Sequence, residues 1–586
     1  MRQWMVAAKK ADFYAIAEKF HVDPVVARII RNREVIGEKN IRIYLGGNLS
    51  DLSDPHQMKD MDRLVEILAQ KIRKQVHIRI IGDYDVDGVT SSHLFLTALR
   101  RVGAKVDVVI PHRIQDGYGL SLHLLQQAKE DGVDTILTCD NGIAAIDEIA
   151  WAKAQKMTVL VTDHHAVPFE EHEGRRTEKK SLADAVVNPH QQDCRYPYKE
   201  LCGAGVAWNV IRVLYENYDM DKREAEDLLD FVAMATVCDV MSLTGENRIL
   251  VKEGLKRIRH TKNIGLQALM QACNVQPENI SAYHFGYVLG PFVNATGRLD
   301  TARHALRLFE TGQETEAEEI ARDLVDLNQE RKELTLQGVE MAKKLCEEGG
   351  YENDPILVLF LPDVHESIAG LIAGRIREMY NRPVFVLTRG EEGVKGSGRS
   401  TENYSMYENM CGCAELFTKF GGHPMAAGLS LPEENVEKFR RKINENCPLT
   451  VEEVCPDIHI DMAMPVGYAS TELVHQFALL EPFGKDNPSP LFADRNLSIS
   501  RMWVIGKNRN VLRMSVLSEY GQPVPVIFFG DVETLFAYFT EKFGQEEVEN
   551  ALQGRKNRIL FSMVYTAKID FYQGNENLQL EMKYYR

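Results

Sequence analysis

From about residue 76 the chain alternates between short runs of apolar and β-branched residues and amphipathic stretches of helical length. VHIRIIGDYD reads as a strand ending in carboxylates, VTSSHLFLTALRRVGA as a helix closed by Gly103, and KVDVVIP as the next strand. DTILTCDNG, MTVLVTDHH and ADAVVNP continue the strand series, with LSLHLLQQAKEDG and AIDEIAWAKAQK as helices among them. Strands alternating with helices of this length predict right-handed βαβ units and a parallel sheet. The C-terminal ends of such strands open on one crevice. Four clusters are expected there: Asp83, Asp85 and Asp87 in GDYDVDG, Asp140 in CDNG, Asp163–His164–His165 in TDHH, and Asp239 in VCDV.

Two mostly helical segments follow, near 204–217 and 222–237. A second α/β block begins near residue 354, with DPILVLFLP and RPVFVLTRG as strands and SIAGLIAGRIREMYN and MYENMCGCAELFTKFGG as helices. Between the blocks, the proline-free stretch ETEAEEIARDLVDLNQERKELTLQGVEMAKKLCEEGG has the periodicity of one long helix. Beyond about 455, segments such as NLSISRMWVIG, VLRMSVLS and VPVIFFG read as strands of a small barrel. The expected division is a mostly helical lead-in over 1–75, an α/β domain over 76–300, a connecting helix over 301–350, a smaller α/β domain over 351–450 and a β-barrel over 451–586.

A chain of 586 residues has room for several cores. Its 44% hydrophobic and 26% charged residues are ordinary for a soluble globular protein, and no apolar run reaches membrane-spanning length. Lys9, Lys10, Asp12 and Glu18 interrupt the N-terminal stretch where a signal peptide is apolar. Ten scattered cysteines with no CxxC pair predict reduced cytoplasmic thiols. The net charge of −16 argues against a surface that coats phosphate backbones. From 375 to 400 the balance reverses: Arg375, Arg377, Arg382, Arg389, Lys395 and Arg399 face Glu378, Glu391 and Glu392, a local +3.

Carboxylates converging from separate strands repel one another unless cations neutralise them. A mixed Asp/His set suits two hard or borderline divalent ions, Mn²⁺ or Mg²⁺, which together support in-line phosphodiester hydrolysis. D-x-D-x-D-G also opens a calcium loop, but position 12 counted from Asp83 is Leu94, and a strand precedes it. Taken alone, DHH reads equally well as a capping Asp with surface histidines, and KGSGRS reads first as a glycine turn beside a surface arginine. No Walker A, GxSxG or HExxH pattern occurs.

GDYDVDG, CDNG, TDHH and VCDV, in that order, resemble motifs I to IV of the DHH phosphoesterase superfamily. DGYGL, NPHQ, NATGRLDTA, KGSGRS, FGGHPMAAGLS and EPFGKDNPSPLF extend the resemblance to its bacterial single-strand-specific exonucleases, over nearly the whole chain. The fold this implies is a parallel-sheet DHH domain and a smaller α/β DHH-associated domain joined by a long helix, followed by an OB-like barrel. Asp85, Asp87, Asp140, His164 and Asp239 match the family's metal ligands, with Asp140 bridging and Asp83 as an additional ligand. His165 matches the histidine at the scissile phosphate, and Asp163 is expected to orient a histidine from behind the ligands. Arg113, Arg298, Ser397, Arg399 and His423 match positions that hold the DNA's 5′ phosphate or line its cleft. Trp503, Lys507, Arg509 and Arg513 are candidate strand contacts on the barrel, although Trp503 also reads as core. Phe292 stands where relatives usually have Arg, Glu366 where Pro is expected and Asp486 where Gly is usual.

The activity implied is 5′→3′ hydrolysis of single-stranded DNA to 5′ mononucleotides in repair and recombination, by a cytoplasmic bacterial monomer served by a single-strand-binding protein and a helicase. The alternatives are a short-oligonucleotide or cyclic-dinucleotide phosphodiesterase of the same superfamily, and a non-catalytic replisome scaffold.

Overall fold

The computed structural model describes residues 3–112, 116, 119–172, 175–299, 302–390, 393–506, 509–572 and 574–586. The chain forms two compact units, one of residues 1–2, 52–241 and 249–456, the other of 3–51, 242–248 and 457–586. This division crosses the cuts expected from sequence, because most of the lead-in belongs with the barrel.

In the first unit, β1 (His77–Ile81), β2 (Lys105–Val109), β3 (Thr135–Cys139), β4 (Thr158–Thr162) and β5 (Ala185–Val187) form a parallel sheet in the order β2-β1-β3-β4-β5. β3 is buried throughout and β1 and β4 nearly so, as parallel strands covered on both faces require. Arg79, buried in β1, is neutralised by a two-pronged bond to Asp107 (2.9 and 2.7 Å) and a bond of 2.8 Å to Asp131. The helices beside the sheet are α1 (Val86–Arg101), α2 (Gly203–Asn217) and α3 (Leu229–Cys238).

A helical run over 282–299 ends in α4 (Gly290–Leu299), and α5 (Glu314–Glu348) is the long connecting helix. The smaller sheet has the order β9-β10-β8-β7-β6, built from β6 (Leu357–Phe360), β7 (Val384–Gly390), β8 (Gly393–Arg399), β9 (Lys419–His423) and β10 (Ala426–Leu431), with α6 (Ala369–Tyr380) packed on it. The segment expected as one helix ending in paired glycines is instead a short helix, Met406–Cys411, a turn, and β9.

In the second unit, strands Phe492–Ile505, Val511–Leu517, Pro523–Phe529, Leu560–Tyr572 and Asn575–Tyr585 form a sheet that closes where Phe492 pairs with Tyr565 and Ser498 with Leu560. Trp4–Val6 pairs in parallel with Ile458–Ile460, and the helices Phe13–Phe20 and Pro24–Asn32 share the barrel's core. Arg248 is buried in this unit and donates bonds of 2.8 Å to the carbonyls of Tyr44, Leu480 and Leu479.

Candidate metal centre and phosphate groove

Three of the four clusters follow strand ends. Asp83 lies two residues beyond β1, Asp140 follows β3 and Asp163 follows β4. Asp85 caps α1 by accepting from the Gly88 amide at 3.0 Å, and Asp87 sits in that helix's first turn. Asp239 does not end a strand: it caps the C-terminus of α3, a helix so apolar that its periodicity resembles a buried strand.

Three overlapping groups have ligand atoms within 4.8 Å of one another: Asp83–Asp85–Asp140, Asp87–His164–Asp239 and Asp140–His164–His165. His164 Nε2 is 3.1 Å from Asp140 Oδ1, 3.6 Å from Asp239 Oδ2 and 3.7 Å from Asp87 Oδ2. Asp140 has φ +60°, a left-handed conformation that Asp tolerates better than most residues. Sequence reasoning overlooked the support of Asp87, whose two oxygens accept from the amides of Gly203 (2.6 Å) and Ala204 (2.7 Å). These amides open α2, so the positive end of that helix faces the carboxylate. A Cβ on Gly203 would lie 2.7 Å from that of Asp140, and one on Gly88 2.5 Å from the Asp83 backbone. Glycine at both places lets the chain close around the site.

Burial, then the charges of Asp87, Asp85, Asp239 and Asp83, push the Asp140 carboxyl well above the usual range. Burial and Asp87 also raise Asp85. Burial lowers His164 more than the neighbouring carboxylates raise it, keeping the imidazole neutral and able to ligate. Such a donor set, carboxylates in mutual repulsion beside a neutral imidazole, fits divalent cations.

Asp163 accepts from the His164 amide (2.7 Å), the His165 amide (3.0 Å), His165 Nδ1 (2.8 Å) and the Ile143 amide (2.9 Å). Burial raises this carboxyl, but those bonds and both histidines outweigh it and leave it low. For His165 burial acts downward, yet the Asp163 bond and the charges of Asp163, Asp239 and Asp87 carry it up to about 9. Burial pushes the Cys139 thiol up to about 12, so it stays protonated beside the carboxylate cluster.

A groove of about 530 Å³ holds Tyr84 and Arg298 on one side and Ser397, Arg399, Lys395, Lys419 and Glu366 on the other. Arg298 donates to the Ser367 carbonyl at 2.6 Å, tying α4 to the turn that leads into α6. Gly370 lets α6 approach Ser397 and Arg399, since a Cβ there would lie 2.8 Å from Ser397 Oγ. Glu366 forms an ion pair with Lys395 at 2.8 Å. Tyr84, Lys395 and Lys419 line the groove without having been singled out from sequence as site residues.

Of the six cations between 375 and 400, only Lys395 and Arg399 line the groove; Arg389 pairs with Glu433, Arg375 with Glu378, and Arg382 binds the backbone at Tyr351 and Asp354. His423, exposed at the end of β9, is not among the lining residues. Phe292 is buried, with the Lys332 ammonium 5.8 Å from its ring. Asp486, at φ +60°, lies in the second unit. On the barrel, Trp503 is 38% exposed and pairs across the strands with Arg513, while Arg509 is exposed in the turn. Arg113 and Lys507 lie outside the described residues.

Fold and site define a DHH-type phosphoesterase: the family model "DHH family, N-terminal domain" matches residues 77–236, the DHHA1 domain 353–447 and the RecJ OB domain 460–584. The single-stranded-DNA-specific exonuclease RecJ of Bacillus subtilis is 33% identical over 87% of this chain and 63% of its own length. The Haemophilus influenzae protein of that name is 32% identical over 96% of both chains. The crystal structure of RecJ from Thermus thermophilus, in complex with Mn²⁺, superposes with a TM-score of 0.81 at 25% identity, covering all of this chain and 79% of that one. The chain belongs to the RecJ family of single-stranded-DNA-specific exonucleases.

Proposed function

We propose that the chain hydrolyses single-stranded DNA from its 5′ end, releasing 5′ mononucleotides, with two Mn²⁺ or Mg²⁺ ions held by Asp83, Asp85, Asp87, Asp140, His164 and Asp239. The observation that carries this reading is the convergence of these side chains within 4.8 Å groups, with the Asp140 carboxyl pushed far up by its neighbours. When bound, two divalent cations supply the positive charge that acidifies an attacking water and offsets the charge building on the phosphate.

The protein's own groups do the rest. Asp163 fixes His165 through Nδ1, and the imidazole, held cationic, donates its other N–H to a phosphate oxygen when the strand is bound. The Gly203 and Ala204 amides hold Asp87 in place. Arg298, Ser397 and Arg399 receive the terminal phosphate in the groove, Arg399 as a planar donor, with Lys419 adding charge. On the barrel, Trp503 opposite Arg513 supplies stacking and charge for a longer strand, which favours this substrate over a dinucleotide. A single-strand-binding protein and a helicase in the bacterial cytoplasm would present that strand to a monomeric enzyme acting in repair and recombination.

Asp140→Ala tests the assignment. Cleavage with Mn²⁺ is expected to fall at least about a thousand-fold, while single-strand binding, read by anisotropy, persists. Near-normal turnover in this variant contradicts the metal centre.

A further inference from the structure

The helical run that leads into the phosphate groove begins with two tyrosines that the metal centre does not use. Tyr283 and Tyr287 are 62% and 75% exposed, and their rings stack on each other at 5.1 Å with 24° between planes. They sit where the run passes from its first turn into a π-helical turn, Phe285–Leu289. π-Turns inside α-helices often mark functional sites. The opposite face is buried: Phe285 and Leu289 are fully covered, and the Cys238 thiol donates to the Phe285 carbonyl at 3.3 Å. Cys238 immediately precedes Asp239, so the tyrosine turn is seated on the end of α3 that carries this ligand.

The other end of the run meets the metal loop. Gly297 lies so close to Tyr84 that a Cβ there would be 2.4 Å from the Tyr84 carbonyl oxygen, and Arg298 enters the groove. From Tyr287 to Gly297 the helix rises about 15 Å, on the order of four stacked nucleotide steps. Charge agrees with a polyanion alongside: residues 279–297 contain no Asp or Glu, in a chain with 85 acidic residues. Two parallel, water-exposed rings are a costly arrangement for a surface without a partner, and every nucleobase offers a complementary π-face.

We propose that Tyr283 and Tyr287 form a stacking platform for bases of the single-stranded substrate a few nucleotides beyond the scissile bond. The platform adds to the barrel's preference for long strands and rests on the exonuclease reading above.

The test uses the full chain with Tyr283→Ser/Tyr287→Ser and, beside it, Tyr283→Phe/Tyr287→Phe. Stacking on an aromatic side chain is worth roughly ten-fold or more per base. The ratio of kcat/KM on a long single strand to that on a dinucleotide is therefore expected to fall about 10- to 100-fold in the Ser pair and to be restored in the Phe pair. A second readout needs no hydrolysis: with EDTA present, 2-aminopurine about four to six nucleotides from the 5′ end should be quenched on binding the parent and not the Ser pair. An unchanged ratio with unchanged quenching overturns the proposal, as does an equal loss on both substrates. If the Ser pair instead degrades strands normally but no longer binds a purified single-strand-binding protein, the patch docks protein and the proposal fails. A parent that quenches 2-aminopurine yet cleaves no strand with either metal leaves the platform standing and overturns the exonuclease reading.

Discussion

Asp140 concentrates the site's physics in one residue. Its left-handed backbone turns the carboxylate back over the strand ends, among Asp83, Asp85, Asp87 and Asp239, where burial and like charge oppose its ionisation. The carboxylates and histidines themselves are legible in the sequence because each cluster is short and ends an apolar run. The amides of Gly203 and Ala204 are not, since a backbone donor carries no residue signature. Glu366 was visible as a departure, but its consequence, the ion pair that occupies Lys395 in the groove, depends on strands brought together by the fold.

Asp230 offers a prediction at the same scale. It is buried, accepts from Thr261 Oγ1 at 2.7 Å, and burial raises its carboxyl to about 6. A folded-state value above the unfolded one of ~3.9 means that ionisation costs stability as pH rises from about 4 through 6, and the cost is complete above that. Asp230→Asn is therefore expected to be more stable than the parent at pH 8, by about 2–3 kcal/mol, with the difference vanishing near pH 4. Denaturation at both pH values checks this, and a parent more stable than the variant at pH 8 contradicts it.

Among the elements, the sheet of the first unit was readable because its strands are apolar runs set between amphipathic helices. α3 misled in one respect: an all-apolar helix lacks a polar face, so VCDV looked like a strand end while Asp239 in fact caps a helix. The strand β9 was hidden for the converse reason, because KFGGH has no alternating pattern and gains its order from pairing with β10.

The end of α3 also carries strain. Val240, at φ +55°, occupies the position after the cap where glycine is usual, and its amide and that of Met241 bond back to Val237 and Thr236. A β-branched residue pays about 1–2 kcal/mol there, only partly matched by the entropy glycine would lose. Val240→Gly is expected to raise the thermal midpoint by about 1–3 °C. A scanning calorimetry trace with a lower midpoint would argue that the Val240 side chain, though exposed, contributes packing that outweighs the strain.

For the whole molecule, the distribution of charge matters more than its sum. The groove presents Arg298, Lys395, Arg399 and Lys419 against Glu366 alone, within a chain of net charge −16. The local excess read along 375–400 located the groove's neighbourhood, but most of those arginines are spent on Glu433, Glu378 and backbone carbonyls. Three to four phosphate contacts predict that the log of single-strand affinity falls against log salt with a slope of about −2 to −3. A slope near −7, as for a protein that coats many phosphates, would contradict a threaded strand. The union of the lead-in with the barrel was illegible for a different reason: Trp4 pairs with Ile458, and no local pattern announces a partner so distant in sequence.

The central claim is hydrolysis from the 5′ terminus at this metal centre. Its most direct test is parallel digestion of one single strand labelled at the 5′ end or the 3′ end, with Mn²⁺ and with Mg²⁺. The account predicts early release of the 5′ label as a mononucleotide while the 3′ label shortens through a ladder. Early release of the 3′ label, or no release with either metal, would contradict it.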